Sequence, residues 1–325
     1  MRSVVAVLRG GHGREYDVSL KSGAAVLQAL NQEQYEPRDI FISRDGQWHL
    51  FGVPVMPERA LRGVDVAFNA LRGRSGEGGE AGRLLEKLSV PYTGSCGSAS
   101  AFAFNKQLTK QAVKKLGIRT PRALVVSVED MDGNPERLAS DIFRTTPLPA
   151  IVKPVFGGSS LGVGFADSYH ALASALEHAF EQSPKVLVEE YIRGREASVG
   201  TLEDFRGEKI YTLLPVEIVP PPGSPFFDYT AKHGGGQGTV RYPGAFTGTE
   251  KEELGRLART VHKGLGLSHY SRADFVISRR GIYFLEVNTA PALAGHTPFH
   301  HALGAVGATL SHFLNHAISL AQQRT

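Results

Sequence analysis

The chain has 325 residues, 42% of them hydrophobic and 21% charged, enough to bury a substantial core and long enough for two or three domains. The net charge of +4 and isoelectric point near 9.1 come from lysines and arginines scattered among acids, which argues against a nucleic-acid partner and for anionic small-molecule substrates. The longest apolar runs are strand-sized, far below the roughly 20 residues of a membrane helix, no secretory signal is visible, and Cys96 is the single cysteine, so the cytoplasm is the expected compartment.

Residues 3–92 alternate strand-like runs (SVVAVL, PRDIFI, VDVAFNAL) with helix-like ones (VSLKSGAAVLQAL, EAGRLLEKL), the pattern of a parallel sheet covered by helices. Small residues at 94–98 precede a predicted helix through Lys115, and strands are expected near residues 123–128, 150–153 and 186–190. From Glu196 onward, strand-like segments carry acids and an arginine, interrupted by the Pro/Gly-rich residues 220–238, a candidate lid. A helix starting at Thr249, with Glu252 in the capping-box position, and an amphipathic helix over residues 301–321 complete the expected elements. The fold class is α/β: an N-terminal parallel-sheet domain (residues 1–95), a small central domain (96–194) and a C-terminal domain (195–325).

No GxxxxGK[ST] occurs, and LRGGHGRE lacks the GxGxxG spacing of a dinucleotide fold. The segment from Lys153 through Gly157, Gly158, Ser159 and Ser160 to Val163 instead ends a strand on a lysine and enters a glycine- and serine-rich turn. Its backbone N–H groups and hydroxyls can face phosphate oxygens beside the lysine charge, although a plain hairpin tip has the same composition. Further on, Arg272-Ala273-Asp274 and Glu286-Val287-Asn288 lie on two predicted strands joined by a tight turn at Arg279-Arg280-Gly281. Residues two apart on a strand share a face, so an Asp, a Glu and an Asn converge as hard oxygen ligands of the kind Mg²⁺ prefers. Cross-strand salt bridges on a solvated sheet are the alternative.

The ordered set KPxxxGSSxGV, RxDF and ExNTxP resembles the ATP-grasp ligases, specifically the D-alanine-D-alanine ligases. Further matching residues are Glu15 before Val18-Ser19-Leu20, Gly76-Glu77, Tyr92-Thr93-Gly94-Ser95, Asn105-Lys106 with Lys110, Glu189 with Gly194 and Glu196, and Phe227-Asp228-Tyr229 with Lys232. The resemblance spans nearly the whole chain and implies a two-domain ATP-grasp fold behind the N-terminal domain. It implies ATP held by Lys106, Lys153 and Lys232 on the phosphates and by Glu189 and Glu196 on the adenine and ribose side. Two Mg²⁺ ions, or Mn²⁺ in their stead, would be bound by Asp274, Glu286 and Asn288. Arg272 and a backbone N–H near Ala292 would stabilise the oxyanion formed when the second D-alanine attacks. Glu15 would hold the ammonium of the first D-alanine, Ser159 and Ser160 would link substrate and lid, and Glu77 would belong to the substrate side. Thr297 would contact the second carboxylate. The implied protein is a homodimer serving peptidoglycan synthesis.

The departures from the family pattern cluster at the amino-acid subsites. The histidine of the HGxxGEDG motif is Arg72, the lid tyrosine is His233 followed by three glycines, and Pro-Gly-Met is Pro291-Ala292-Leu293. They leave open a ligase with another second substrate, such as D-lactate or D-serine, and a pseudoenzyme that binds nucleotide without turnover. Cys96 is read as structural, and His296, His300 and His301 as a turn and helix start rather than a metal site.

Overall fold

The computed structural model describes residues 2–224, 239–242, 244–295 and 297–324, and three sheets organise these described residues. The first sheet centres on strand Ser3–Gly10, which runs parallel to Tyr35–Ile42 on one side and Val66–Asn69 on the other. Val5, Ala6, Val7 and Leu8 are all fully buried, as a central parallel strand covered on both faces requires. The sheet is not parallel throughout, as its runs had suggested. After Ile42 the chain turns at Gly46, whose φ of 88° suits glycine, and returns antiparallel as Trp48–Leu50 and Val53–Pro54.

The second sheet is antiparallel, in the order Ala123–Ser127, Lys185–Glu190, Ala150–Pro154, Gly164–Ala166. Helices Pro135–Phe143 and Tyr169–Phe180 close its core through Leu138, Ile142, Leu172 and Leu176. The third sheet carries Thr239–Arg241, Val216–Val219, Arg195–Phe205, Tyr270–Ser278 and Gly281–Asn288 in that order, with Glu208–Thr212 off the path. Helices Gly97–Phe104, Lys106–Lys115 and Gly248–Gly264 cover it with Ala103, Val113, Leu254 and Val261 against Phe275 and Phe284. Helix Leu310–Gln322 returns to the first sheet, and Phe313 and Leu314 share a core with Val5, Phe68, Leu202 and Phe299.

Three helix boundaries differ from expectation. The helix through Lys115 breaks at Asn105, whose side chain accepts from Leu108 N and caps a new helix beginning at Lys106. The helix expected from Thr249 starts one half-turn earlier. Thr247 and Glu250 form the capping box, because both T-x-x-E pairs fit the motif but the outer one also engages Arg195. The C-terminal helix is two helices, Pro298–Ala305 and Leu310–Gln322, separated where Gly307 adopts φ 69° and Thr309 caps the second. Among the described residues no helix is long and apolar enough to cross a membrane.

Candidate functional site

A cavity of about 260 Å³ lies between the second and third sheets. Ile151 and Val163 on one side and Val276 and Leu285 on the other form apolar walls, and Lys153, Ser160, Glu189, Glu196, Asp274 and Glu286 supply its polar lining. Six residues singled out in the sequence therefore share one cavity. An apolar slot with a charged end is what a flat base joined to a phosphate chain demands.

The cationic end is built on two elements. Lys106 opens helix Lys106–Lys115, and Lys110 follows one turn later on the same face. Lys153 sits near the end of strand Ala150–Pro154, adjacent to the strand that carries Glu189. The Glu189 carboxylate divides between two lysines, with Oε1 2.9 Å from Lys110 Nζ and Oε2 2.9 Å from Lys153 Nζ. Burial works against this carboxylate, but the two cations overcome it and hold its pKa below the ordinary range. Burial likewise pushes Lys110 down to about 8, against the pull of Glu189. Glu189 thus pairs directly with Lys110 and Lys153, while Glu196 lines the cavity. Lys106 lies 3.5 Å from Glu286 and donates to the carbonyl of Gly157 in the glycine-serine turn.

Sheet register aligns the next group. Ser198, Asp274 and Glu286 stand opposite one another across three strands, and Arg272 stands opposite Asn288 in the neighbouring rung. The pairing runs unbroken from Arg272 to Asp274, so the two rungs, two residues apart, share one face; the register shifts only beyond them, between Asp274 and Phe275. Ser198 Oγ donates to Asp274 Oδ1 at 2.6 Å, and the Arg272 fork donates to both Asp274 oxygens at 3.0 and 2.7 Å. The Asn288 amide satisfies its neighbours when its oxygen accepts from Arg272 Nη2 at 2.8 Å and its nitrogen donates to Glu77 Oε1 at 3.2 Å. Burial opposes the Arg272 cation, but Asp274, Glu286 and Glu77 outweigh it and hold its pKa above the ordinary value. Among the described residues no three His, Cys, Asp or Glu gather as a closed metal site. Two carboxylates and an amide oxygen on an open face fit a hard cation that completes its shell with waters and phosphate oxygens, as Mg²⁺ does.

The third group lies between the first sheet and the glycine-serine turn. Glu15, the residue preceding helix Tyr16–Ala29, accepts from Ser159 Oγ at 2.7 Å and lies 3.4 Å from Arg72 Nη2. Ser159 and Ser160 adopt φ of 53° and 59°, a left-handed conformation uncommon outside glycine and recurrent at functional turns. Gly158 adjoins Glu15 so closely that a Cβ there would lie 2.9 Å from both carboxylate oxygens. Arg72 also reaches Glu77 Oε1 at 3.2 Å and donates to the carbonyl of Ala290. Burial, against the opposing charge of Arg72, pushes Glu77 up to about 7.

Ala292 is buried just beyond this group, and its carbonyl accepts from Thr297 Oγ1 at 2.7 Å. Lys232, His233, His296 and the Phe227-Asp228-Tyr229 segment lie outside the described residues. Three participants carried no assigned role from sequence. Lys110 was detectable from its i+4 spacing to Lys106, and Ser198 from its i+2 spacing to Glu196 on one strand. Arg72 stood out only as a departure, since its partners Glu15 and Ala290 are 57 and 218 residues away.

Two family models match the chain: "D-ala D-ala ligase N-terminus" over residues 4–57 and "D-ala D-ala ligase C-terminus" over residues 112–319. The chain is 33% identical over 321 residues to the D-alanine-D-alanine ligase of Pelotomaculum thermopropionicum, covering 98% of this chain and 96% of that one. It is 38% identical over 290 residues to the enzyme of the same name from Geotalea uraniireducens, covering 89% and 86%. Among solved structures, the VanG D-Ala:D-Ser ligase of Enterococcus faecalis superposes with a TM-score of 0.85 at 27% identity, covering 99% of this chain and all of that one.

Proposed function

Because the chain belongs to the D-alanine-D-alanine ligase family, we propose that it uses ATP to join two D-alanines, in service of peptidoglycan precursor synthesis. The observation that carries the reading is the continuity of the three groups, from the apolar slot through the lysines and the Asp274-Glu286 rung to Glu15 and Ser159. Each group answers one requirement of the chemistry.

A carboxylate is a poor electrophile, so the first D-alanine is activated before any amine can attack it. Its ammonium is held by Glu15, which leaves its carboxylate oxygen free to attack the γ-phosphorus as the bond to the β-phosphate oxygen breaks and ADP departs. Lys106 and Lys153 neutralise phosphate oxygens, Glu189 keeps Lys153 and Lys110 in place, and Glu196 faces the ribose. Lys232 would add a third cation from outside the described residues. Asp274, Glu286 and Asn288 would hold one or two Mg²⁺ ions, or Mn²⁺, whose charge offsets that of the β- and γ-phosphates. The amine of the second D-alanine then attacks the acyl carbon, loses a proton, and the C–O bond to phosphate breaks. Arg272 and the backbone N–H of Ala292 stabilise the intervening oxyanion, and Thr297 receives the second carboxylate. Ser159 and Ser160 close over the acyl phosphate and keep water from it.

Domain boundaries near residues 95 and 194 would leave Glu15 and Glu77 in the first domain, Lys153 and Glu189 in the second, and Arg272, Asp274, Glu286 and Asn288 in the third. ATP as a substrate suits action in the cytoplasm. A homodimer through the first sheet is supported by Phe51, Val53 and Met56, which are 86%, 59% and 69% exposed near its outer hairpin; light scattering reads the mass directly. A second acceptor such as D-serine or D-lactate is the alternative favoured by the acceptor named for the VanG enzyme. The test is phosphate release from ATP and Mg²⁺ with D-alanine alone, then with D-serine or D-lactate added, products being identified by mass. Dialanine supports the proposal, and turnover only with another acceptor replaces the second substrate.

A further inference from the structure

Arg72 is buried, 4% exposed, at the start of the short helix Gly73–Gly76. Its guanidinium bridges Glu15 and Glu77 and is anchored on the Ala290 carbonyl. Glu15 is enclosed by backbone on two sides, since a Cβ at Gly73 would lie 2.9 Å from Oε2 and one at Gly158 equally close to both oxygens. Among the described residues its side-chain partners are Ser159, which donates one neutral hydrogen bond at 2.7 Å, and Arg72 at 3.4 Å. A substrate ammonium arriving at Glu15 therefore meets a carboxylate that already has a fixed cation beside it.

We propose that Arg72 is a specificity-determining residue, a built-in cation that shares Glu15 with the ammonium of the first amino acid and so sets how tightly that substrate is held. This rests on the function proposed above. Two unit charges about 4 Å apart repel by about 1 kcal/mol even with water-like screening, or about fivefold in affinity, and by more in a buried site. The guanidinium lies on Glu77 and Ala290 rather than in the nucleotide cavity, so its influence is confined to the amino-acid side.

The experiment measures KM for D-alanine at the first subsite, KM for ATP and kcat in wild type, Arg72→Gln, Arg72→Lys and the Arg72→Gln/Glu77→Gln double variant. The double variant also replaces the carboxyl that pairs with Arg72 and covers the case in which Arg72→Gln alone fails to fold. Loss of the Arg72 charge is expected to lower the first-subsite KM at least about fivefold, with KM for ATP within about twofold. Arg72→Lys, which keeps the charge, is expected to stay near wild type; a purely structural role predicts parallel losses in all three variants. An unchanged or raised KM in both charge-removing variants overturns the inference while wild-type turnover leaves the proposed function standing. Absence of phosphate release by wild type with any D-alanine-containing mixture overturns both.

Discussion

Lys110 offers a quantitative test of the charge network. Its pKa falls from 10.5 to about 8, chiefly because the side chain is buried, while the Glu189 carboxylate limits the fall. At about 1.4 kcal/mol per unit, the gap corresponds to about 3 kcal/mol of pH-dependent stability. Between pH 8 and 10.5 the unfolded lysine binds more proton than the folded one, so stability rises with pH across that window. The folded protein is thus expected to gain on Lys110→Met as pH increases, although other lysines and tyrosines titrate in both proteins. Urea unfolding at pH 7.5, 8.5, 9.5 and 10.3 measures the difference between the two curves, in which those shared titrations cancel. A difference that grows by about 2 to 3 kcal/mol supports the assignment. Parallel curves within about 0.5 kcal/mol refute it, because Lys110 would then keep its ordinary pKa despite its burial.

Asp274→Asn removes a carboxylate that accepts from Arg272 and Ser198; ADP formation should fall by at least about 1000-fold, with circular dichroism unchanged. Gly158→Ala brings a methyl against both oxygens of Glu15 and should raise the D-alanine KM about tenfold, equivalent to about 1.4 kcal/mol of lost ground-state binding, with little effect on KM for ATP. His269 is pushed down to about 4, first by burial and then by Arg324, and its Nδ1 accepts from Gly94 N at 3.1 Å. Its contribution is complete above about pH 6.5 and is lost as pH falls toward 4, so acid unfolding of His269→Gln should lack about 3 kcal/mol of the wild-type pH dependence.

The rungs around Asp274 are legible in the sequence because a strand repeats every two residues, and that period alone puts Arg272 with Asp274 and Glu286 with Asn288. Their partnership with Ser198 is not, since it depends on how a third strand registers across the sheet. Helix ends failed for a different reason. Thr247 and Thr249 each begin a T-x-x-E pair, and the choice fell to Arg195, which pairs with Glu250 from fifty-five residues earlier on another element. The parallel first sheet was read correctly through its central strands and missed its antiparallel edge, which follows from one glycine turn. Arg72 shows the same boundary. Its identity was visible as an anomaly, while the pair of carboxylates that it bridges comes together only in the folded chain.

The return of helix Leu310–Gln322 to the first sheet bears on how the protein is made. Phe313 and Leu314 belong to the core that covers Val5, Val66 and Phe68, yet they leave the ribosome well over two hundred residues later. Throughout elongation the earliest strands therefore carry an apolar flank that no later segment has yet covered, and a nascent chain stalled before residue 310 would present that flank to chaperones or to its neighbours. Folding of that sheet therefore waits on a segment made about three hundred residues downstream of its central strand.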